Sequence, residues 1–243
     1  MRVLVIGASG FLGAHTYLLL KTTDGIDATG AYGRRAILPD MCQVDLASGE
    51  VVGSLIREID PDVVIWCAKH TCAATTGTES EINTIGLRAV LAHARRDVRI
   101  IFVSTDGLLS GTQGHYDEKA VTVPIEADSG VAVYTNAKLN AEQYLRDNWD
   151  NYCVVRVGPI YGRSIFEEWD PRIAALTAAF ARGETVLRAT NIKRTFIDVR
   201  DLAHALCELV KHPYKGILHL GPLESLNHFE FACTVADMNG FSS

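Results

Sequence analysis

The sequence predicts an α/β protein built on a doubly wound parallel sheet, with a smaller α/β lobe toward the end of the chain. The first observation is the apolar, partly β-branched run Val3–Ile6, which is typical of a buried parallel strand. The second is that Gly7, Gly10 and Gly13 follow it at once, while helical spacing of apolar residues begins at Phe11. The third is the alternation of strand and helix patterns over roughly the first two thirds of the chain.

The glycine turn between the first strand and the first helix has the features of an anion site. The N-terminus of a helix presents N–H groups without intrahelical partners and a partial positive charge, and glycine allows a close approach to the backbone. The spacing G-x-x-G-x-x-G at the start of an α/β unit predicts binding of a dinucleotide pyrophosphate. The alternative is a tight turn of an α/β sheet that binds no ligand.

The later elements follow from the same patterns. We expect five further strands in the first part of the chain, Ile26–Tyr32, Gln43–Asp45, Val63–Trp66, Val98–Ser104 and Cys153–Val157, with helices over 50–59, 79–96 and 134–149. The remainder is less regular, with helices over 170–182, 199–211 and 226–239 and strands at Thr185–Leu187 and Ile217–Leu220. We therefore expect a dinucleotide-binding domain over residues 1–157 and a smaller substrate lobe over 158–243.

Composition excludes several classes of protein. Of 243 residues, 48% are hydrophobic and 21% charged, which is typical of a folded chain and not of a disordered one. The net charge is -6 and no dense Lys/Arg run occurs, so we expect no nucleic-acid partner. The six cysteines form no C-x-x-C pair and no metal-ligand spacing, and no apolar run is long enough to span a bilayer. We expect a cytoplasmic protein without a signal peptide, metal or membrane contact.

Two arginines bear on the choice of cofactor. Dinucleotide folds usually place an acidic residue about 20 positions after the glycines to bind the ribose 2′-hydroxyl. Here Arg34 and Arg35 stand near that position, and guanidinium groups suit a 2′-phosphate. This favours NADP(H) over NAD(H), the alternative being that both arginines are solvated loop residues. Asp45 either binds the adenine amino group or caps the following helix.

The candidate catalytic residues lie on one helix and at one strand end. Tyr134 and Lys138 form a Y-x-x-x-K pair, whose spacing places both side chains on one helix face. A tyrosine can exchange a proton with a carbonyl under reduction when a nearby cation favours its phenolate, and Lys138 would supply that charge. Thr105 ends the fifth strand and is placed to polarise the carbonyl oxygen, with Ser104 as the fallback. Both hydroxyls could instead merely cap the strand end.

The motifs together resemble a known family. The order GASGFLG from Gly7, STDGLLSG from Ser104 and YTNAK from Tyr134 is similar to the extended short-chain dehydrogenase/reductases, also called the NAD-dependent epimerase/dehydratase family. Within that family, DVVIWCAKHT from Asp62 and the run from Ser104 are most like the dTDP-4-dehydrorhamnose reductase subgroup, while RTFIDVRDLA from Arg194 is similar to a motif of the whole family. The resemblance spans nearly the whole chain and implies a Rossmann domain followed by a substrate-binding lobe.

The resemblance also implies site residues. It implies Thr105, Tyr134 and Lys138 as the catalytic triad, with Asn83 holding a proton-relay water. It implies that the substrate contacts Thr105, Asp106 and Arg194, although Arg194 could instead be paired with Asp198 or Asp201. The implied cofactor contacts lie after the strand ends, except for Tyr134 and Lys138 on the catalytic helix. They are Gly7, Ser9, Gly10, Phe11, Leu12, Gly13, Arg34, Arg35, Asp45, Leu46, Cys67, Ala68, Tyr134, Lys138 and Ile160.

The function that this resemblance implies is reduction, with NADPH, of a keto group on a nucleotide-linked deoxysugar. Two alternatives stay open: an epimerase or dehydratase that retains its NAD, and a regulatory subunit that binds a dinucleotide without catalysis. The chain departs from the family pattern where Trp66 takes the place of an asparagine. Family members usually continue beyond Ser243, so the expectation is either that a wall of the substrate pocket is missing or that the pocket is open. The expected partner is a nucleotide sugar, and a homodimer is a possible assembly.

Overall fold

The computed structural model describes residues 1–69, 78–109, 111, 113–126 and 130–241, and gives only the backbone of 78–83 and 130. The main sheet is made of seven of the strands and the other four form short pairs. In chain order the strands are β1 (Arg2–Ile6), β2 (Asp27–Tyr32), β3 (Cys42–Gln43), β4 (Val63–Trp66), β5 (Arg99–Thr105), β6 (Tyr152–Val157), β7 (Ile160–Tyr161), β8 (Lys193–Arg194), β9 (Ile197–Asp198), β10 (Gly216–Leu220) and β11 (Leu226–Asn227).

The seven-stranded sheet is parallel and has the order β3-β2-β1-β4-β5-β6-β10. The predicted doubly wound parallel sheet is therefore confirmed. The strand order reverses between β1 and β4, and in such sheets ligands bind in the crevice beyond the carboxyl ends at that point. Ile6, Trp66 and Phe102 lie side by side in register on β1, β4 and β5. The residues that follow them, from Gly7, Cys67 and Val103 onward, therefore lie together at the carboxyl end of the sheet.

Helices cover both faces of the sheet. They are α1 (Phe11–Lys21), α2 (Gly49–Ile59), α3 (Thr78–His93), α4 (Gly130–Asn148) and α6 (Val199–Lys211), whereas α5 (Pro171–Ala181) and α7 (His228–Met238) pack with each other in a separate apolar cluster. Alternate residues of β1 enter different cores: Val3 and Val5 pack with α1 and α6, whereas Leu4 and Ile6 pack on the side of α2, α3 and α4. This division follows from the two-residue period of a strand.

Local capping residues fix several helix starts. Ser48 Oγ accepts the N–H of Val51 at the start of α2. Asn227 and Glu230 form a reciprocal capping box, so α7 begins at His228, two residues later than the sequence pattern predicts. A third apolar cluster, around Phe196 and Phe231, lies among α5, α7 and the short strands.

Two sequence predictions need correction. The structure places no strand at Thr185–Leu187; the Leu187 side chain is 86% exposed, so this segment lacks the buried face that supports a strand. Helix α4 begins at Gly130 rather than at Tyr134, so Tyr134 lies in the second turn. The structure also shows that β10 and α6, both from residues after 157, join the main sheet and its helical layer. The division into two domains stays a prediction.

Candidate active site

The glycine turn after β1 is tightly built. Gly7 has a φ of +85°, and a Cβ there would lie 2.7 Å from the backbone nitrogen of Ala68. A Cβ on Gly13 would collide with the carbonyl oxygen of Gly7. Gly10 is the N-cap of α1 and provides no capping side chain, so the first-turn N–H groups, those of Phe11, Leu12 and Gly13, are left for a ligand. Ser9 is half-buried in the same turn. The turn therefore fits an anionic group such as a pyrophosphate.

Lys138 is held between two strand ends. Its side chain is buried, and Nζ donates to the carbonyl oxygen of Ala68 at 3.2 Å and to that of Val103 at 2.9 Å. The pKa of this ammonium is lowered from 10.5 to about 8, mainly by burial and in smaller part by the charge of Lys69, while Cys67 acts in the opposite direction. An ammonium has three N–H groups, so one remains for another acceptor.

Tyr134 lies one helical turn before Lys138 on α4 and is half-buried. Burial raises the pKa of its phenol, Asp106 raises it further, and the charge of Arg194 acts in the opposite direction. The sequence predicts that Lys138 favours the phenolate. In the structure the Lys138 ammonium is bound to two backbone carbonyls, and the charges that act on the phenol are those of Asp106 and Arg194, so the effect of Lys138 on the phenolate stays a prediction. Tyr134 therefore keeps its proton at neutral pH.

The two hydroxyls at the end of β5 have different partners. Ser104 is buried, and its Oγ donates to Glu142 Oε2 at 3.0 Å, which commits it to the core. Thr105 Oγ1 accepts the N–H of Gly107 at 3.1 Å, and its own O–H stays available for a further acceptor. Of the two hydroxyls, the structure therefore favours that of Thr105 as the one available to a substrate carbonyl oxygen. The capping contact that Thr105 makes with Gly107 is also present.

Arg194 and Asp106 are paired with each other. Arg194 Nε donates to Asp106 Oδ2 at 2.8 Å, and Arg194 Nη2 donates to the other carboxylate oxygen. The sequence offered Asp198 or Asp201 as the partner of Arg194, and both are wrong because the partner is Asp106. Asp198 instead caps α6 and pairs with Arg200. The pair brings the two predicted substrate residues together beside Tyr134.

The residues expected near the adenosine half lie after β2 and β3. Arg34 and Arg35 are exposed, and no carboxylate of the described residues lies within ion-pair distance of either. Asp45 is exposed, and its Oδ1 accepts the N–H of Ala47 at 3.0 Å. Because Ser48 caps α2, the capping alternative for Asp45 is wrong. Leu46 is half-buried beside it.

The remaining predicted residues are placed at the ends of β4 and β7. Cys67 and Ala68 follow β4, and burial raises the pKa of the Cys67 thiol to about 12, so this group is a neutral thiol. Ile160 begins β7, which pairs with β9. Asn83 belongs to α3, but its side chain lies outside the described residues, and its water-holding role stays a prediction. Within the part of the chain that the structure describes, no cluster of metal-ligating side chains occurs and no helix has the length and apolar character of a membrane span.

Three features of the site are not apparent from motif spacing. Lys69 Nζ lies 5.2 Å from the centroid of the Tyr134 ring, which places a second cation beside the phenol. Glu142 and Arg156 form a buried ion pair behind the site. Trp66 is fully buried in the core, and Gly86 on α3 gives its ring room. The periodicity of α4 does place Glu142 on the face of Tyr134 and Lys138, a signal that could have identified it.

The chain has the Rossmann-like α/β fold of the extended short-chain dehydrogenase/reductases and belongs to that class of protein. Within that class the chain belongs to the RmlD substrate binding domain family, whose model matches residues 1–243.

Two curated relatives have different roles. The chain is 27% identical over 252 residues to methionine adenosyltransferase 2 subunit beta of Rattus norvegicus, covering 97% of this chain and 71% of the relative. It is 26% identical over 257 residues to a probable low-salt glycan biosynthesis reductase of Haloferax volcanii, covering 99% and 81%. Among solved structures, dTDP-4-dehydrorhamnose reductase of Bacillus anthracis strain Ames, in complex with NADP, superposes with a TM-score of 0.80 at 22% identity. That match covers 99% of this chain and 81% of the other.

Proposed function

We propose that this protein is an NADPH-dependent reductase of a keto group on a nucleotide-linked deoxysugar. The observation that supports the proposal is the binding of Lys138 to backbone at the ends of β4 and β5, with Tyr134 one turn away on α4, Thr105 at the end of β5 and an uncapped helix N-terminus after β1. Membership of the RmlD substrate binding domain family supports a nucleotide-sugar substrate. When bound, the cofactor supplies the hydride that reduces the carbonyl carbon.

Tyr134 is the proton donor in this proposal. Reduction places negative charge on the carbonyl oxygen, and a group that donates a proton must carry it before the reaction. The raised pKa of Tyr134 keeps the phenol protonated at neutral pH, as the reductive direction requires. The Thr105 hydroxyl donates a hydrogen bond to the same oxygen and thereby stabilises its developing charge.

Lys138 holds the cofactor ribose in this proposal and keeps a positive charge one helical turn from the Tyr134 phenol. Two of its N–H groups are bound to Ala68 and Val103, which fixes the direction of the third. A ribose hydroxyl is a suitable acceptor for that third N–H. The positive charge of Lys138 also favours transfer of the Tyr134 proton, since it stabilises the phenolate that remains.

Arg34 and Arg35 favour NADPH in this proposal. Both guanidinium groups follow the strand that precedes the adenosine ribose site, and neither is neutralised by a carboxylate of the described residues. A 2′-phosphate can accept paired hydrogen bonds from such groups. The solved neighbours include complexes with NADP and with NAD, so they support a nicotinamide dinucleotide without favouring either one. Asp45 is proposed to accept a hydrogen bond from the adenine amino group.

The test is turnover with a panel of 4-keto sugar nucleotides, followed through the absorbance of reduced nicotinamide. Tyr134→Phe is expected to abolish turnover while NADPH affinity changes little. Tyr144→Phe is the matched control on the same helix, because Tyr144 packs against Arg88 and away from the strand ends. Normal turnover by Tyr134→Phe would show that the phenol is not the proton donor.

The relative described as a methionine adenosyltransferase subunit supports a second candidate function. In that case the chain binds a dinucleotide and regulates a catalytic partner. Tight NADPH binding without turnover of any keto sugar nucleotide is the result expected of such a subunit. Conversion of a sugar nucleotide without net consumption of cofactor would instead indicate the epimerase alternative.

A further inference from the structure

A buried ion pair lies directly behind the proposed catalytic residues. The side chains of Glu142 on α4 and Arg156 on β6 are each 1% exposed. Arg156 Nε donates to Glu142 Oε2 at 3.3 Å, and Arg156 Nη2 donates to Oε1. Ser104 on β5 adds a third contact, donating from Oγ to Glu142 Oε2 at 3.0 Å. One carboxylate therefore connects a helix and two strands.

The three connected elements are those that carry the catalytic groups. Tyr134, Lys138 and Glu142 follow one another at four-residue steps, so all three lie on the same face of α4. Ser104 is adjacent to Thr105, and it pairs in register with Arg156 across β5 and β6. Helix α4 is thus attached to the sheet at two heights, through Lys138 and, one turn further along, through Glu142.

The energetics argue against stability as the main purpose of this pair. Removing two charges from water is costly, and well-packed apolar residues often replace a buried ion pair without loss of stability. Arg156 Nη1 is buried and has no hydrogen-bond partner among the described residues, which adds to that cost. What a forked guanidinium–carboxylate contact provides beyond apolar packing is direction, because it fixes the rotation and height of the helix.

We propose that Glu142 and Arg156 are positioning residues that set the placement of Tyr134 relative to Thr105. The proposal rests on the reductase function proposed above. Ser104 transmits the same restraint to the end of β5, so that the phenol and the Thr105 hydroxyl approach one carbonyl oxygen together. A displacement of about 1 Å at a reacting centre can reduce a rate about 100-fold, which is the scale of effect at issue.

The decisive variant replaces the whole pair, Glu142→Leu with Arg156→Met, since either single change leaves a buried charge unpaired. We expect it to fold, to keep the wild-type KM for NADPH within about threefold, and to lose about 10- to 100-fold in kcat. Ser104→Ala is expected to give a smaller loss of kcat in the same direction. Asp147→Asn is the matched control: Asp147 is exposed on the same helix and its carboxylate accepts a hydrogen bond from Gln143, far from the strand ends, so kcat should not change.

A second readout does not depend on catalysis. Because Asp106 acts on the Tyr134 phenol, a shift of α4 away from the sheet end should move the titration of that phenol to lower pH. The titration of the Tyr134 phenol is followed through the tyrosinate absorbance that is lost in Tyr134→Phe. If the wild type is inactive on all substrates, the proposed function fails, while this titration still decides the positioning role.

Two results would overturn the proposal. One is a folded double variant with wild-type kcat and an unchanged Tyr134 titration. The other is a double variant that cannot fold, since that would show that the pair serves stability.

Discussion

Arg194 and Asp106 form a forked ion pair between β8 and the short 3₁₀ helix Asp106–Leu108, which directly follows β5. The contact joins the later part of the chain to the end of the strand that carries Thr105. Both charges act on Tyr134 and in opposite directions, so the pair balances the electrostatic environment of the phenol.

Removing the carboxylate should unbalance that environment. In Asp106→Asn the Tyr134 phenol loses the negative charge that raises its pKa, while Arg194 continues to lower it. We expect the phenol to titrate at lower pH than in the wild type. The measurement is a tyrosinate absorbance titration, with Tyr134→Phe used to subtract the other tyrosines.

Arg194→Gln provides the opposite-sign control. It removes the cation and leaves Asp106, so the same titration should move to higher pH. Shifts in one direction for both variants would indicate a general change of structure rather than a balance of two charges.

The pH dependence of catalysis should reflect Lys138. In the free protein its ammonium loses a proton at a pKa of about 8, so kcat/KM is expected to fall as pH rises through that value. Lys69→Met removes a neighbouring positive charge that lowers this pKa, so its alkaline limb should appear at higher pH. An alkaline limb that does not move in Lys69→Met would contradict the coupling of the two lysines.

The same group affects stability with a definite sign. Between pH about 8 and 10.5 the unfolded chain keeps the Lys138 proton while the folded chain has lost it, so this residue makes the free energy of unfolding rise with pH in that window. Below pH 8 both states carry the proton and the contribution is constant. Denaturant titrations of Lys138→Met should lack that rise.

Arg34 and Arg35 should discriminate between cofactors. Replacing both with Gln removes the cations proposed to bind the 2′-phosphate, and each such contact is worth about 1.5–3 kcal/mol. We expect NADPH affinity to fall at least tenfold, with NADH affinity nearly unchanged, in a fluorescence titration. Equal losses for both cofactors would reject the 2′-phosphate contact.

Gly13→Ala should damage the turn and the first helix together. The added Cβ would collide with the Gly7 carbonyl, which belongs to backbone and cannot rotate away. Overpacking of this kind costs about 1–3 kcal/mol and should also weaken dinucleotide binding. Gly25→Ala is the control, because a Cβ there meets no atom within 4 Å. The positive φ of Gly25 means that this alanine also lowers stability, but NADPH binding should remain. Thermal melting and NADPH titration of both variants separate the two effects.

Periodicity and glycine spacing were sufficient to predict the main sheet, because both depend on local sequence. Helix α4 was predicted, but its start was placed four residues late, because Gly130, Val131 and Val133 have weak helix propensity. The partner of Arg194 was not predictable, since Asp106 lies 88 residues away in the chain. The same holds for Glu142 and Arg156: their pairing depends on how α4 is seated on the sheet, which spacing alone does not encode.

The position of β10 at the edge of the main sheet has a consequence for dissecting the molecule. Strand β10 hydrogen-bonds to β6, and α6 packs with α1 in the same core. A fragment ending at Val157 would expose the open side of β6 and the apolar surface of α1, and an unpaired strand is a template for self-association. We therefore expect a fragment that ends at Val157 to self-associate, because the final quarter of the polypeptide completes both the sheet and the core of the amino-terminal part.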